Sequence, residues 1–331
     1  MKTYPLPIHV QRFFTDRLAT QLHASPNTVA SYRDTFRLLL KYTTDRIGRQ
    51  PTELQVGDID ADLIGGFLTF VETNRGNGAR SRNTRLSAIR SFFAYVAGNE
   101  PQLLHHCQKV LAMPSKRHEK RTIDYLTHAE IEALIGAADL ATRSGRRDRM
   151  LLLLAVQTGL RVSELINLTC GDVALGIGAH VRCIGKGRKE RSTPLRKDCV
   201  QALRVWLSER GGANSEPLFV SNRGARLSRD AVERIVRKHV GVAATTCPTL
   251  NGKRVTPHVL RHSAAMQLLQ NGVDRTVIAL WLGHESVEST QMYVHADIQI
   301  KEQAMAKTTP VAVSPSRYRP NDQLLAFLEE L

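Results

Sequence analysis

The chain has 331 residues, 42% of them hydrophobic and 23% charged, and its formal net charge at pH 7 is +15. So large a positive charge favours a polyanionic partner, with nucleic acid as the first candidate and an anionic membrane surface as the second. No apolar run approaches the ~18–20 residues of a transmembrane helix, and the first residues lack the apolar stretch of a signal peptide. These two observations disfavour the membrane, and we expect a cytoplasmic protein.

Residues 1–112 carry helical patterns and predict a small all-helical domain. Ser25 followed by Pro26 is a typical helix start, and apolar residues follow at helical spacing. Two further helices are predicted, over Leu63–Val71 and from about Ser81 to Tyr95. Arginines bracket the last of these helices, and they either form an ordinary basic surface or contact DNA phosphates. We favour phosphate contacts for Arg80, Arg82 and Arg85.

Residues 113–121 (MPSKRHEKR) have no apolar periodicity and predict a linker between two domains. The segment is basic, so it is a solvated loop, a strand of chain that follows a phosphate backbone, or both. We expect both, with Lys116 and Arg117 as the candidate phosphate contacts.

Residues 122–306 predict a second domain that is mainly helical and contains a small antiparallel sheet. A capping box at Thr127–Glu130 opens its first helix, and an apolar helix over Met150–Val156 ends at Gly159. Three β-leaning segments follow, and the basic turn between the last two predicts a hairpin with Lys186 at or near its tip. The strands are Val173–Leu175, Ala179–Ile184 and Arg191–Leu195, and the later helices are Asp198–Glu209, Ser228–Val240, Thr256–Gln270, Arg275–Leu282 and Ser286–Tyr293.

Residues 307–331 predict a linker followed by a short amphipathic tail helix. Five apolar residues share one face of that helix: Leu324, Leu325, Phe327, Leu328 and Leu331. So short a helix is not stable alone, so we expect it to dock either on its own domain or on a neighbouring protomer. Our hypothesis is that it docks on the neighbour and controls activity there.

Four segments of the second domain carry candidate chemistry: TGLRVSEL with Arg161, GKGRKER with Lys186, PHVLRH with His258 and Arg261, and LGH with His284, which precedes Tyr293 by nine residues. Cleavage of a phosphodiester gathers negative charge on the nonbridging oxygens, so its site must supply cations. These segments supply arginine, lysine and histidine without the carboxylate cluster that binds catalytic metal ions. The inventory predicts metal-free phosphoryl transfer to a side-chain nucleophile.

A zinc site is disfavoured. His258 and His262 have the spacing of a zinc pair, but Val259 follows His258 where the metalloprotease motif needs glutamate. The five cysteines are scattered and form no close pair. We therefore expect reduced thiols and no metal or other cofactor.

In their order and spacing, the four segments resemble those of the tyrosine recombinases, the family of phage integrases and Xer-like enzymes. The resemblance covers about residues 122–306 and extends more loosely to a helical core-binding domain at the N-terminus. It implies that Tyr293 attacks the scissile phosphate to give a 3′-phosphotyrosine and that Lys186 protonates the departing 5′-oxygen. The implied catalytic set is Arg161, Lys186, His258, Arg261, His284 and Tyr293.

The other members of that set have implied roles at the phosphate. Arg161 and Arg261 grip its nonbridging oxygens, His258 assists proton transfer from the tyrosine, and His284 hydrogen-bonds the phosphate. Glu164, one turn after Arg161, orients the basic residues. Next to Lys186, three further residues are expected to contact phosphates or to lie on a solvated hairpin: Arg188, Lys189 and Arg191.

The resemblance also implies a DNA strand transferase that needs neither metal nor ATP, because the phosphotyrosine stores the bond energy for rejoining. Its partner is double-stranded DNA with specific recombination sites, which the core-binding and catalytic domains clamp. The protein is expected to be a monomer when free and a homotetramer in the synaptic complex. We favour the integrase of a mobile element. The alternatives are Xer-type multimer resolution, a type IB topoisomerase and a non-catalytic DNA-binding protein, while a metal-dependent transposase is disfavoured.

Overall fold

The computed structural model describes residues 3–117, 123–185 and 190–283, and the chain divides into two compact units, Met1–Lys120 and Arg121–Leu331. The described part is mainly helical and contains one three-stranded antiparallel sheet, which confirms the predicted fold class. No helix within these ranges is long and apolar enough to cross a membrane.

The first unit is all-helical. Its α-helices are α1 (Leu6–Arg12), α2 (Pro26–Ile47), α3 (Ala61–Thr73), α4 (Ala79–Asn99) and α5 (Leu104–Leu111), and a π-helical segment over Phe13–Gln21 continues α1. The predicted start of α2 is confirmed, because the Ser25 hydroxyl accepts a hydrogen bond from the Thr28 amide. The predicted helices within α3 and α4 are also confirmed and extend by two to four residues at each end.

Aromatic side chains form the centre of the first unit's core. The rings of Phe36 and Phe92 lie edge to face with their centroids 5.2 Å apart, and Phe13 packs against both. Phe13 and Phe92 are fully buried. Because Phe13, Phe36 and Phe92 come from three helical segments, this contact fixes α4 and its arginines against the N-terminal helices.

The start of the predicted linker packs against α4. The Asn83 side chain donates to the backbone oxygen of Lys116 at 2.8 Å and accepts from its amide at 3.0 Å. The Lys116 ammonium lies 3.0 Å from the Glu72 carboxylate. The chain up to residue 117 is thus held to the first unit, and residues 118–122 lie outside the described ranges.

The second unit contains the sheet and seven described α-helices. The helices are α6 (His128–Gly136), α7 (Arg143–Thr158), α8 (Val162–Asn167), α9 (Lys197–Arg210), α10 (Arg229–Thr246), α11 (Pro257–Gln270) and α12 (Arg275–Leu282), and the strands are β1 (Val173–Ala174), β2 (His180–Ile184) and β3 (Glu190–Pro194). The strand order is β1-β2-β3, and Cys183 pairs with Arg191. This confirms the hairpin, while residues 186–189 of its connection lie outside the described ranges.

Helix α7 runs through the core of the second unit. Leu151, Leu152 and Leu154 are fully buried, and α7 packs against α6, α9 and α11. The helix begins seven residues before the predicted apolar run, with polar residues in its first two turns. Two of those polar residues are buried in a network, because Asp148 accepts from Arg147 at 2.7 Å and contacts the His239 ring at 3.0 Å. The network satisfies charges that would otherwise be costly to bury.

Candidate active site

Arg161 lies where α7 has just ended and α8 begins. Gly159 terminates α7 in the left-handed conformation, with φ of 64°, and Arg161 is the residue that caps α8. Glu164 holds it in two ways, since its carboxylate accepts from the Arg161 amide at 2.7 Å and from Nη1 of Arg161 at 2.9 Å. The predicted place of Arg161 after a glycine break and at a helix start is confirmed.

Arg261 lies in the first half of α11, and its residue surface is only 2% exposed. Its Nη1 atom donates to the Gly159 carbonyl oxygen at 2.6 Å, and its Nη2 atom donates to the Leu282 carbonyl oxygen at 2.6 Å. Helix C-terminal carbonyls carry partial negative charge and attract cations. Arg261 therefore joins α11 to the ends of α7 and α12.

Arg161 reaches the same end of α12. Its Nη2 atom donates to the carbonyl oxygen of Gly283 at 3.1 Å, the residue after the Leu282 that Arg261 contacts. Gly283 caps α12 in the left-handed conformation, with φ of 64°. Two arginines that are a hundred residues apart in sequence thus converge on one helix end, directly before His284 in the chain.

His258 is the second residue of α11, and it is exposed. It lies one turn before Arg261, as the spacing predicts, and the Thr256 hydroxyl caps the helix by accepting from the Val259 amide. The His258 and His262 rings lie edge to face with centroids 4.3 Å apart. Within the described ranges, no three histidine, cysteine or acidic side chains are grouped so as to hold a metal ion.

Arg191 on β3 contacts the Glu164 carboxylate and is not directed at solvent. Its Nη1 and Nη2 atoms donate to the two carboxylate oxygens of Glu164 at 3.0 and 2.7 Å. Burial alone would raise the pKa of Glu164, but the hydrogen bonds from Arg191 and Arg161 outweigh it and hold the pKa below its ordinary value. Glu164 is therefore a buried carboxylate that stays ionised between two guanidinium groups.

The candidate DNA contacts of the first unit differ in their surroundings. Arg80 and Arg117 are exposed, whereas Arg82 is half-buried with Nε at 3.6 Å from the Glu72 carboxylate. Arg85 is half-buried, and burial together with the nearby charge of Arg75 lowers the pKa of its guanidinium. Its Nε has no hydrogen-bond partner within the described part of the chain. Arg85 thus keeps one buried N–H group without a partner among the described residues.

The described residues include Arg161, Glu164, His258 and Arg261 of the predicted site. Five others lie outside the described ranges, together with the predicted tail helix: Lys186, Arg188, Lys189, His284 and Tyr293. The contact between Arg191 and Glu164 was not predicted from the sequence. One signal could have found it, because strand alternation places Arg191 and the buried Thr193 on the same face of β3.

Two family models match the chain. The model of the phage integrase family matches residues 124–299. The model of the phage integrase N-terminal SAM-like domain matches residues 11–99.

Curated relatives match over nearly the whole length. The putative integrase/recombinase y4rC of Sinorhizobium fredii is 52% identical over 322 residues, which are 97% of this chain and 97% of the relative. The tyrosine recombinase XerC of Pelobacter propionicus is 32% identical over 305 residues, or 92% and 96% of the two chains.

Solved structures share the fold. XerH recombinase bound to a palindromic difH substrate, in a post-cleavage complex, is 22% identical with a TM-score of 0.69 over 86% of this chain and 81% of the other. A lambda integrase dimer bound to a COC′ core site is 19% identical with a TM-score of 0.64, covering 94% of this chain and all of the other.

Proposed function

This chain belongs to the phage integrase family and is a site-specific DNA recombinase that cleaves and rejoins DNA strands, and we propose that Tyr293 is its nucleophile. The phenolic oxygen of Tyr293 attacks the scissile phosphorus, the bond to the 5′-oxygen breaks, and a 3′-phosphotyrosine and a free 5′-hydroxyl result. Rejoining is the reverse attack by a 5′-hydroxyl, so the bond energy is kept and neither ATP nor a metal ion is needed.

The observation that carries the proposal is the convergence of Arg161 and Arg261 on neighbouring carbonyls of the α12 end. Both guanidinium groups are held by the protein before any substrate arrives, so little ordering is needed when phosphate binds. Planar guanidinium donors suit the nonbridging oxygens, which gain charge in the transition state. The chain leads from that helix end directly into His284 and then to Tyr293.

His258 and Lys186 carry out the two proton transfers in our proposal. Tyrosine has an ordinary pKa of ~10, so its attack needs a base, and His258 takes this role. Lys186 donates a proton to the departing 5′-oxygen, and His284 hydrogen-bonds the phosphate. Glu164 orients Arg161 through the two contacts described above.

DNA binding is the proposed role of the first unit and the linker. Residues 1–112 form the core-binding domain, 113–121 the linker and 122–306 the catalytic domain, and the two domains clamp duplex DNA. Phosphate contacts come from Arg80, Arg82, Arg85, Lys116, Arg117, Arg188 and Lys189. The exposed side chains of Arg80 and Arg117 support this assignment.

The working assembly in our proposal is a homotetramer of chains that are monomers when free. A lambda integrase tetramer bound to a Holliday junction is among the solved structures with this fold. The tail helix in residues 322–331 docks on a neighbouring protomer and couples the active sites. We further propose a mobile element as the genetic context, which the integrase name of the 52% identical relative supports, and action on DNA in the cytoplasm.

The test is covalent capture on a nicked duplex substrate that carries a recombination site. We expect the wild-type protein to form an adduct that survives detergent, including in EDTA, and Tyr293→Phe to form none while it binds DNA normally. Tyr125→Phe is the matched control and keeps the adduct. An undiminished adduct in Tyr293→Phe refutes the nucleophile. Relaxation of supercoils without strand exchange between two sites would identify a type IB topoisomerase instead.

A further inference from the structure

Arg191 and Glu164 form a bidentate ion pair beside Arg161. The two terminal nitrogens of Arg191 meet the two carboxylate oxygens of Glu164 at 3.0 and 2.7 Å. The Arg191 side chain is 13% exposed and that of Glu164 is 4% exposed. A bidentate pair in such surroundings is screened little by water and is geometrically strict.

The same carboxylate also holds Arg161 from the other side. Glu164 accepts from the Arg161 amide and from Nη1 of its guanidinium, so it has four donors in all. The three charges of Arg161, Glu164 and Arg191 sum to +1. Without Arg191, the charge of Glu164 would cancel that of Arg161, and the phosphate would meet a neutral pair.

Arg161 and Arg191 differ in how much of their side chains is exposed, and only Arg161 is exposed enough to meet a substrate. The Arg161 side chain is 32% exposed and keeps a path to a substrate, whereas Arg191 spends both terminal nitrogens on Glu164. Arg191 also packs on the end of α12, because a Cβ atom placed on Gly283 would lie 2.7 Å from its Nη1 atom. Arg191 therefore lies between the Glu164 carboxylate and the end of α12, and little of its side chain is left exposed for a DNA contact.

We propose that Arg191 is a positioning residue: it neutralises Glu164, so that Glu164 can hold Arg161 in place without cancelling the positive charge that Arg161 presents to the scissile phosphate. The role rests on the proposed function, and it replaces the phosphate contact that the basic turn suggested for Arg191. The Arg191 guanidinium also packs against Gly283, the residue that directly precedes His284 in the chain.

The decisive experiment compares wild type, Arg191→Met, Glu164→Gln and the double variant in single-turnover adduct formation at saturating DNA. We expect Arg191→Met to slow the reaction on the order of 100-fold, as loss of a positioned group does. Adding Glu164→Gln is expected to recover about tenfold of that loss or more, because the neutral amide no longer opposes Arg161. A double variant as slow as Arg191→Met, or slower, overturns the proposal.

Salt dependence of DNA binding separates positioning from phosphate contact. Loss of one phosphate contact lowers the slope of log affinity against log salt by about 0.9. We expect Arg191→Met to leave the slope unchanged, and a drop near that size contradicts the proposal. The matched control is Arg182→Met on the neighbouring strand, where the side chain is 54% exposed. It loses the same charge, and the cleavage rate of its DNA complex is expected to stay at the wild-type level.

Arg191→Lys keeps the test decisive if Arg191→Met does not fold. Lysine retains the charge but loses the bidentate geometry. A folded Arg191→Lys protein is therefore expected to cleave at a rate within about tenfold of wild type, well above the rate expected for Arg191→Met, which loses the charge. A folded lysine variant slowed 100-fold refutes charge neutralisation. Failure of the proposed function is recognised separately, because wild type would then form no adduct or Tyr293→Phe would still form one.

Discussion

The Nη1 atom of Arg261 lies 2.6 Å from the carbonyl oxygen of Gly159, so the backbone at the end of α7 sets the position of a candidate phosphate-binding group. Its Nη2 atom is held equally closely by Leu282. Because the donors are fixed in advance, the rate of cleavage depends on the planar shape of the side chain as well as on its charge.

We therefore predict that Arg261→Lys keeps the charge and loses the activity. One ammonium nitrogen cannot occupy the two separate positions from which Nη1 and Nη2 reach the two carbonyls. Adduct formation is therefore expected to fall by about 10²–10³-fold, while the dissociation constant for DNA changes by only a few fold. Single-turnover cleavage and a binding titration measure the two effects. Arg204→Lys is the control, since Arg204 also donates to a backbone carbonyl but lies on exposed α9 surface. Equal losses in the two variants would contradict the prediction.

Gly159→Ala is predicted to cost more stability than the same change at Gly48. Both glycines end a helix with positive φ, 64° and 75°, so each alanine has a conformational cost of about 1–2 kcal/mol. At Gly159 a Cβ atom would also lie 2.5 Å from Cδ2 of Leu282, whereas nothing lies within 4 Å at Gly48. Overpacking adds about 1–3 kcal/mol. Urea unfolding of the two variants measures the difference, and identical losses would show that the Leu282 contact is easily relieved.

Acidic pH is predicted to remove the contribution of Glu130 to the free energy of unfolding. Its side chain is 1% exposed and lies 2.7 Å from the Lys253 ammonium. Burial alone would raise the pKa of Glu130, but hydrogen bonds from Lys253 and the Thr127 amide hold it below the ordinary value. A carboxylate whose pKa is lower in the folded than in the unfolded state stabilises the folded protein at pH values above the unfolded pKa of ~4.3. That stabilisation is lost as the pH falls through the folded-state pKa.

The measurement is the free energy of unfolding from pH 7 to pH 3. The difference between wild type and Glu130→Gln is expected to shrink as the pH falls through this window. Glu132→Gln, on the exposed face of the same helix, controls for loss of a charge. A difference that stays constant across the window would rule out ionisation of Glu130 as the source of the stability.

One cysteine is predicted to react in the native protein. Burial raises the pKa of Cys107 and Cys183 to about 11 and that of Cys199 to about 12, and it also raises the pKa of the Cys170 thiol. Thiolates are the reactive form, so these four are expected to resist alkylation at pH 8. Cys247 is half-buried at the edge of the second unit's core. In the native wild-type protein, alkylation is expected at one thiol, and in Cys247→Ser this labelling is expected to vanish. All five thiols of the wild type are expected to react in urea. A thiol that still reacts quickly in native Cys247→Ser would contradict the burial pattern.

Local signals predicted the elements well. The capping box of α6, the Pro257 start of α11 and the β2–β3 hairpin are all confirmed, because each depends on residues within four or five positions. The true start of α7 was missed for the opposite reason. Its first turns are polar, and Asp148 is satisfied by His239, which is 91 residues away in sequence.

The candidate site divides in the same way. The place of Arg161 at the start of α8 follows from the nearby glycine, and that of Arg261 near the start of α11 follows from the nearby proline; both predictions are confirmed. The contacts that hold the site together join residues far apart in sequence. Arg161 and Gly283 are 122 residues apart, and Arg191 and Glu164 are 27 residues apart. Only packing of the whole unit makes such contacts, and a run of basic letters does not separate an arginine that faces a carboxylate from one that faces solvent.

The end of α12 is a shared anchor for three cations from distant segments. Arg161 donates to Gly283, Arg261 donates to Leu282, and Arg191 packs against Gly283. Any movement of that helix end would therefore change one contact of each of the three arginines, while Glu164 and Gly159 would still hold them from the other side. The cost of displacing α12 is consequently shared by three guanidinium groups, so this helix end is more strongly held than its length of eight residues suggests.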